Sequence, residues 1–498
     1  HFGEVTVTLT VAGSQVEILP GETIQTIVDA NPPGTEFLLR AGVHRMQQVS
    51  AKDNQIFTGE PGAILNGSRL LTGWIPDGGR WYVTGQTQEG VTRGSCDSGY
   101  ERCVRPEDLF VDDVTYRHVT SLGALGPGSW YFDYGADRIY LGEDPAGKTI
   151  ETSVTPKAIF GAVDGVEVRS LVVEKYANPA QEGAIDSRAG YNGAVGLNWI
   201  VDGVEARLNH GSGIQITDGG VIRNSYAHHN GQQGFSAGGT GILVEDTEIA
   251  FNNTARFHLD WEGGGNKLIG TDLTVRRNST HDNYGPGIWV DIDSFNISIL
   301  DNVVERNFRA GIFFEVSDNA TISGNYAEGN GLDDPRADAW LWASGILVAS
   351  SGDAEVVDNV AVNNGNGITA TQQNRGAGRL VENLNVHDNT VTMAPDTAPP
   401  LTNSLTGVVR DTGDDAIFTS RNNDFQNNTY YADPAAEKFH WFNSPRTFAQ
   451  WQSFGLDATG SIAPITSTPP TWSSSLTQTG ASATTVSLTW SGASDPDG

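Results

Sequence analysis

Three short phrases in the middle of the chain end on acids: HLDWE on Glu262, GIWVD on Asp291 and GIFFE on Glu315. Asp293 follows two residues after Asp291. Within each phrase apolar and outward positions alternate with period two, the pattern of a half-buried strand. If the phrases stack in register, their fifth residues form one outward column of Glu262, Asp291 and Glu315. Neighbouring strands lie ~4.8 Å apart, which puts the first and third carboxylates roughly 10 Å apart. Like charges at this range keep at least one acid protonated to higher pH. Carboxyl groups ~5 Å apart suit a retaining glycosidase and ~6.5–9.5 Å an inverting one. Both spacings occur in this column. Asp291 or Asp293 would activate water, and Glu262 or Glu315 would protonate the leaving oxygen. The third positions Trp289 and Phe313 would offer flat apolar faces to a sugar ring.

Other uses of the same residues compete. Ca²⁺ takes six to eight oxygen ligands, and Asp260, Glu262, Asp291 and Asp293 supply carboxylates for such a site. A plain solvated acidic face is the third reading. Trp261 to Lys267 reads WEGGGNK. Its glycines either let backbone approach a ligand or make a turn between coils, and Lys267 would reach the same cleft. Among the histidines, His228 and His281 stand two residues before Asn230 and Asn283. That equivalence points to a stacking role in a repeated turn. His210 and His229, beside the glycine-rich strands, are the candidates for proton transfer or sugar binding. No phosphate loop, serine elbow or dinucleotide fingerprint stands in a strand-to-helix context.

The elements that must position these residues are repeated. A glycine followed by alternating apolar residues recurs at Gly213, Gly234, Gly287, Gly311, Gly345 and Gly367, with HLDWE from His258 taken as one more copy. Asn278/Asn283, Asn302/Asn307, Asn325/Asn330 and Asn359/Asn364 share the spacing N-x4-N. Asn tolerates left-handed backbone, and its amide can bond to copies above and below. A period near 23 residues with short strands and Asn turns describes a solenoid. The expected fold is all-β, a parallel β-helix in which each coil gives three short strands. Over roughly residues 20–455 the pattern resembles the right-handed parallel β-helix superfamily of pectate lyases, polygalacturonases and uronan epimerases. That resemblance implies a polysaccharide substrate and, in its lyase members, Ca²⁺ with Arg or Lys.

Residues 1–45 read as a terminal strand, a cap and the first coil, with a short helix around Thr23–Ala30. The solenoid would span 46–455. A β-rich insert at about 70–155 carries a hairpin in GSWYFDYGADRIYLGEDPAG and both cysteines, Cys96 and Cys103. Those two favour a local disulfide over a metal site, which needs more ligands. Residues 456–471 form a Thr/Ser/Pro linker. Residues 472–498 resemble the opening of a fibronectin type III module, a partial β-sandwich segment too short for that fold.

Composition narrows the function. The 498 residues include 60 Gly and carry a net charge of −30, which excludes an all-helical protein and disfavours nucleic acid and anionic membranes as partners. No run reaches the ~18 apolar residues of a membrane helix. The start at His1 fits a processed chain, secreted or on the cell surface. Three functions follow. The first is a secreted polysaccharide-acting enzyme, foremost a glycoside hydrolase using the carboxylate column. The second is a Ca²⁺-dependent lyase or uronate epimerase, disfavoured because an acidic cleft repels a uronan. The third is a non-catalytic adhesion or filament protein, assembling through its terminal strands at Glu4–Val11 and Thr485–Trp490.

Overall fold

The computed structural model describes residues 15–335, 340–376, 378–393 and 404–465, with the backbone of Thr477–Ser482 and Thr485–Thr489. One coil shows the plan. Its strands are Ser212–Ile216, Val221–Arg223 and Tyr226–His228, and the next coil repeats them as Gln233–Thr240, Leu243–Glu245 and Glu248–Ala250. Ile214 pairs with Phe235, Ile222 with Val244 and Ala227 with Ile249, always in parallel. Three parallel sheets therefore run the length of the solenoid, here the first, second and third in coil order. Inward positions repeat from coil to coil: Ile288, Ile312 and Ile346 follow one another, as do Val290, Phe314 and Val348, all buried. Burying each such side chain stabilises the fold by ~1.5–3 kcal/mol. A one-residue slip would turn the whole column outward, so this pile fixes the register.

The two asparagines of the N-x4-N spacing belong to two separate ladders, one at each end of the third-sheet strand. One runs Asn209, Asn230, Asn252, Asn283, Asn307, Asn330, Asn364, each Nδ2 donating to the next Oδ1 at 2.9–3.1 Å. The other runs Asn278, Asn302, Asn325, Asn359, Asn389, Asn428 and ends on Asp457. The left-handed residue is the one before the ladder: His229, Arg277, Asp282, Asp301 and Arg306 have φ between 50 and 54°. The ladder residue is thus required for its amide, which is buried and fully bonded, and not for its backbone freedom. His281 bonds Glu248 of the previous coil at 3.2 Å and Asp282 at 2.8 Å, and His387 repeats this with Glu355 and Asp388. His228 likewise meets Glu205 at 3.2 Å.

The ends are closed. The helix Ile24–Ala30 buries Ile24 and Val28 over the first coil. At the other end Trp451, from a helix at Phe448–Ser453, packs on Phe425, Phe439 and Trp441. The last coil reaches further than the composition change near 455 implied, because Ser461–Ala463 pairs with Thr429–Tyr431 in the third sheet. The insert is a small body with its own core. Trp130, Phe132, Ile139, Leu141, Leu109 and Ile150 are buried between its two sheets. Its hairpin Ser129–Asp133/Arg138–Leu141 turns through Asp137 at φ 51°. Cys96 and Cys103 are disulfide-bonded. Strands Thr477–Ser482 and Thr485–Thr489 pair as an antiparallel hairpin. The rest of the segment compared with fibronectin type III, and the terminal strand at 4–11, lie outside the described residues. Among the described residues, no helix is long and apolar enough to cross a membrane.

Candidate active site

The column on the first sheet is real but differs by one member. Val290 pairs with Phe314 and Phe314 with Val348, so Asp291 and Glu315 stand side by side on adjacent coils, followed by Ala349. The phrase HLDWE is not a strand. His258–Glu262 lies in a loop, and the coil's strand begins at Asn266, with Ser236 paired to Lys267 and Ala237 to Leu268. The alternation of HLDWE mimicked a strand, but the residues before Asn266 bridge to the insert instead. Cys96 forms a β-bridge with Phe257, Asp97 N bonds Arg256 O, and His258 N bonds Ser95 O. The glycines of WEGGGNK are a packing requirement. A Cβ on Gly263 would stand 2.2 Å from Asn253 Nδ2, and one on Gly265 would stand 2.6 Å from Gly287 O.

From that loop Glu262 still reaches the site. Lys267 Nζ stands 2.9 Å from Asp291 Oδ2 and 3.4 Å from Glu262 Oε1. All three side chains are largely shielded, Asp291 at 5% exposure and Lys267 at 6%. Asp291 also accepts from the Ile292 amide at 2.7 Å. Glu315 is buried too, and meets Arg375 Nη2 at 2.7 Å. Burial first, and the neighbouring Asp291 charge second, push the Glu315 carboxyl up to about 7 from 4.5. Arg375, Lys267 and the Trp289 indole offset only part of this. Arg375 is 40% exposed, so solvent screens its charge. Two neighbouring acids thus sit in different surroundings, Asp291 paired with a buried ammonium and Glu315 raised toward neutrality beside a half-exposed guanidinium.

The backbone just after each acid is unusual. Ile292 has φ 36°, Asp293 φ 60° and Val316 φ 49°. For β-branched residues such as Ile292 and Val316 the left-handed region is an outlier, costing about 1–3 kcal/mol each, and such strain gathers at functional sites.

Trp289 and Phe313 do stand side by side, with rings stacked at 5.6 Å and 21°. They are not open sugar platforms. Lys267 covers Trp289 at 4.3 Å, and Trp342 meets Phe313 edge-on at 5.6 Å. The pair forms a buried wall under the carboxylates. Trp342 and Arg375 come from late connections that carry no repeat signal, which is why sequence reasoning missed them.

Other expected members go elsewhere. Asp260 pairs with Arg309, and the exposed Asp293 with Arg379. Among the described residues no three of His, Cys, Asp and Glu are gathered to hold a metal ion. Each carboxylate of the calcium reading, Asp260, Glu262, Asp291 and Asp293, faces an arginine or lysine. His210 stands against the insert, away from the carboxylates. Its Nδ1 meets Asp108 of the insert at 3.0 Å and its Nε2 meets Cys103 O at 2.8 Å. Burial lowers its pKa, but Asp108 outweighs this and the net shift is upward. His229 stacks on Phe251 at 4.9 Å, also away from the carboxylates.

The family described as a right-handed β-helix region matches residues 191–334, which include Glu262, Lys267, Asp291 and Glu315. The chain is a right-handed parallel β-helix. Among solved structures, the complex of XylC with xylose is similar over 79% of this chain and 83% of its own, at 14% identity and a TM-score of 0.52. The A-module of the mannuronan C-5 epimerase AlgE6 from Azotobacter vinelandii shares 15% identity over 90% of this chain and 94% of its own, with a TM-score of 0.49. A mannuronic acid-specific polysaccharide family 6 lyase from human gut microbiota shares 9% identity over 89% and 96%, with a TM-score of 0.48. At 14% identity the likeness to XylC is one of fold. No curated protein sequence matches the chain.

Proposed function

We propose that this chain is a polysaccharide-acting enzyme, and that it hydrolyses glycosidic bonds with Asp291 and Glu315. The observation that carries this reading is the contrast between the two acids. Asp291 is ion-paired with Lys267 at 2.9 Å, while Glu315 on the next coil is raised to about 7. Environments that drive two neighbouring carboxyl groups apart are how glycosidases separate an acid from a nucleophile or base. Glu315 donates its proton to the glycosidic oxygen as the bond to the anomeric carbon breaks. Adjacent coils are ~4.8 Å apart, closer to the ~5–5.5 Å of retaining enzymes than to the inverting range. Asp291 therefore attacks the anomeric carbon and forms a glycosyl ester. Glu315, now ionised, takes a proton from water, which releases the sugar and restores both groups. Glu262 and Lys267 hold Asp291 in place.

Lys267, Arg375 and Arg379 favour a second reading. Cations beside the acids would neutralise a uronate carboxylate, as a lyase or epimerase requires. The test is product analysis on neutral and uronic glycans. Hydrolysis gives saturated ends that take up heavy oxygen from labelled water; elimination gives an unsaturated end with ultraviolet absorbance and no label. Unsaturated products from wild type would transfer the assignment to the second reading.

A further inference from the structure

A cavity lies away from the carboxylates, where the insert meets the solenoid. Its volume is about 460 Å³, within the ~300–1,000 Å³ of small-molecule sites. The insert supplies Tyr100, Arg102, Tyr116, Arg117 and His118, and turns of three successive coils supply the opposite wall, including His210. None of Glu262, Lys267, Asp291 or Glu315 lines it.

Its polar groups are unevenly matched. The His118 ring stacks on Trp130 at 3.9 Å, and both its ring nitrogens are shielded from solvent without a hydrogen-bond partner. Burial first, then the charges of Arg102, His210 and Arg105, keep this ring neutral. It has one donor and one acceptor unused, and buried groups of this kind are ordinarily paired. Arg117 lies over the Tyr100 ring at 4.6 Å and donates to Gly99 O. Arg102 donates to Thr120 O at 3.4 Å. Among the described residues neither guanidinium forms a salt bridge, though Arg117 lies close enough to the exposed Glu101 to be the least of the influences that lower its pKa. The acids at the cavity are taken, Asp108 by His210 and Asp113 by Lys175. Arg102 also lies over the Tyr131 and Tyr134 rings at 6.0 and 5.8 Å. On a chain of net charge −30, the cavity thus holds two guanidinium groups whose partners among the described residues are carbonyls and aromatic rings rather than carboxylates, beside a neutral imidazole.

We propose that this cavity binds one acidic sugar unit, with its carboxylate between Arg102 and Arg117, its ring against Tyr116 and a hydroxyl on His118. Guanidinium groups pair with carboxylates through two parallel hydrogen bonds, and aromatic rings cover the apolar face of a sugar. A free hexuronate and the uronate end of a longer glycan present the same chemistry. The site is independent of the catalytic reading, because it shares no residue with it.

Calorimetric titration of the full chain tests this, with glucuronate, a glucuronate-ended oligosaccharide, glucose and inorganic phosphate as probes. The expected result is saturable, one-to-one binding of glucuronate. Arg102→Gln and Arg117→Gln should each weaken it at least tenfold, and Asp291→Asn should leave it unchanged. Glucose and phosphate should not bind at matched concentration. Binding of the oligosaccharide alone supports the site and assigns it to chain ends. His118→Asn should also weaken binding; if that buried change prevents folding, the two arginine variants carry the test. Four results would overturn the proposal: no uronate binding, equal binding of glucose or phosphate, binding indifferent to both arginines, or binding lost in Asp291→Asn.

Discussion

Replacing Glu315 by Gln removes one ionisation while nearly keeping the shape, and the structure sets the size of the effect. Burial and then Asp291 move this carboxyl from 4.5 to about 7. Its side chain is 7% exposed, so solvent weakens these influences little. The folded state therefore prefers the protonated acid. That preference stabilises the fold fully below the unfolded value and is lost as pH rises through the folded one. About 2.5 units at ~1.4 kcal/mol each gives about 3 kcal/mol. Wild type should lose roughly this amount relative to Glu315→Gln between about pH 4.5 and about pH 8. Urea unfolding of both proteins across that range reads it, and any constant offset from packing the amide cancels in the comparison. A difference that does not vary with pH, or that grows in the opposite direction, would refute the placement of Glu315 in a buried site beside a second charge.

Asp291→Asn leaves the buried Lys267 short of one partner, so it should lower thermal stability as well as turnover, the latter by about 10²–10⁴, measured as reducing ends released. Lys267→Met strands Asp291 and Glu262 without their cation, and turnover should fall by ~10² while substrate half-saturation changes less. Asn307→Ala breaks one ladder at its middle, where the amide bonds Asn330, Thr280 and Asn283. At ~1–3 kcal/mol for each buried group left unpaired, it should cost at least ~3 kcal/mol in denaturant unfolding, with the active-site geometry retained.

The fold was legible because the solenoid writes its period into the chain. Gly-apolar-x-apolar phrases place Ile288, Val290, Ile312 and Phe314 inward, and that alternation survives every change of loop length. The ladder asparagines were legible as a spacing, though their reason was only half visible. The left-handed backbone belongs to the residue before each, and the ladder position serves the amide. Asp291 and Glu315 were legible as neighbours, because both follow the same phrase on successive coils. Glu262 was misplaced, because an alternating run in a loop looks like a strand until its partner is known; Phe257 pairs with Cys96 of the insert instead. The insert is also why the surroundings of His210 were not legible. Its partner Asp108 lies 102 residues away, and no local pattern announces that contact. Arg375 and Trp342 reach the site from irregular segments, where periodicity carries no information.

The most direct test of the account is the pH profile of glycan cleavage, read together with the chemistry of the product. A panel of neutral and uronic glycans is incubated with wild type, Asp291→Asn and Glu315→Gln in heavy-oxygen water. The account predicts labelled, saturated ends from wild type, activity falling as pH rises through about 7 as Glu315 loses its proton, and no such limb in Glu315→Gln. Unsaturated products, or an alkaline limb that persists in Glu315→Gln, would contradict it.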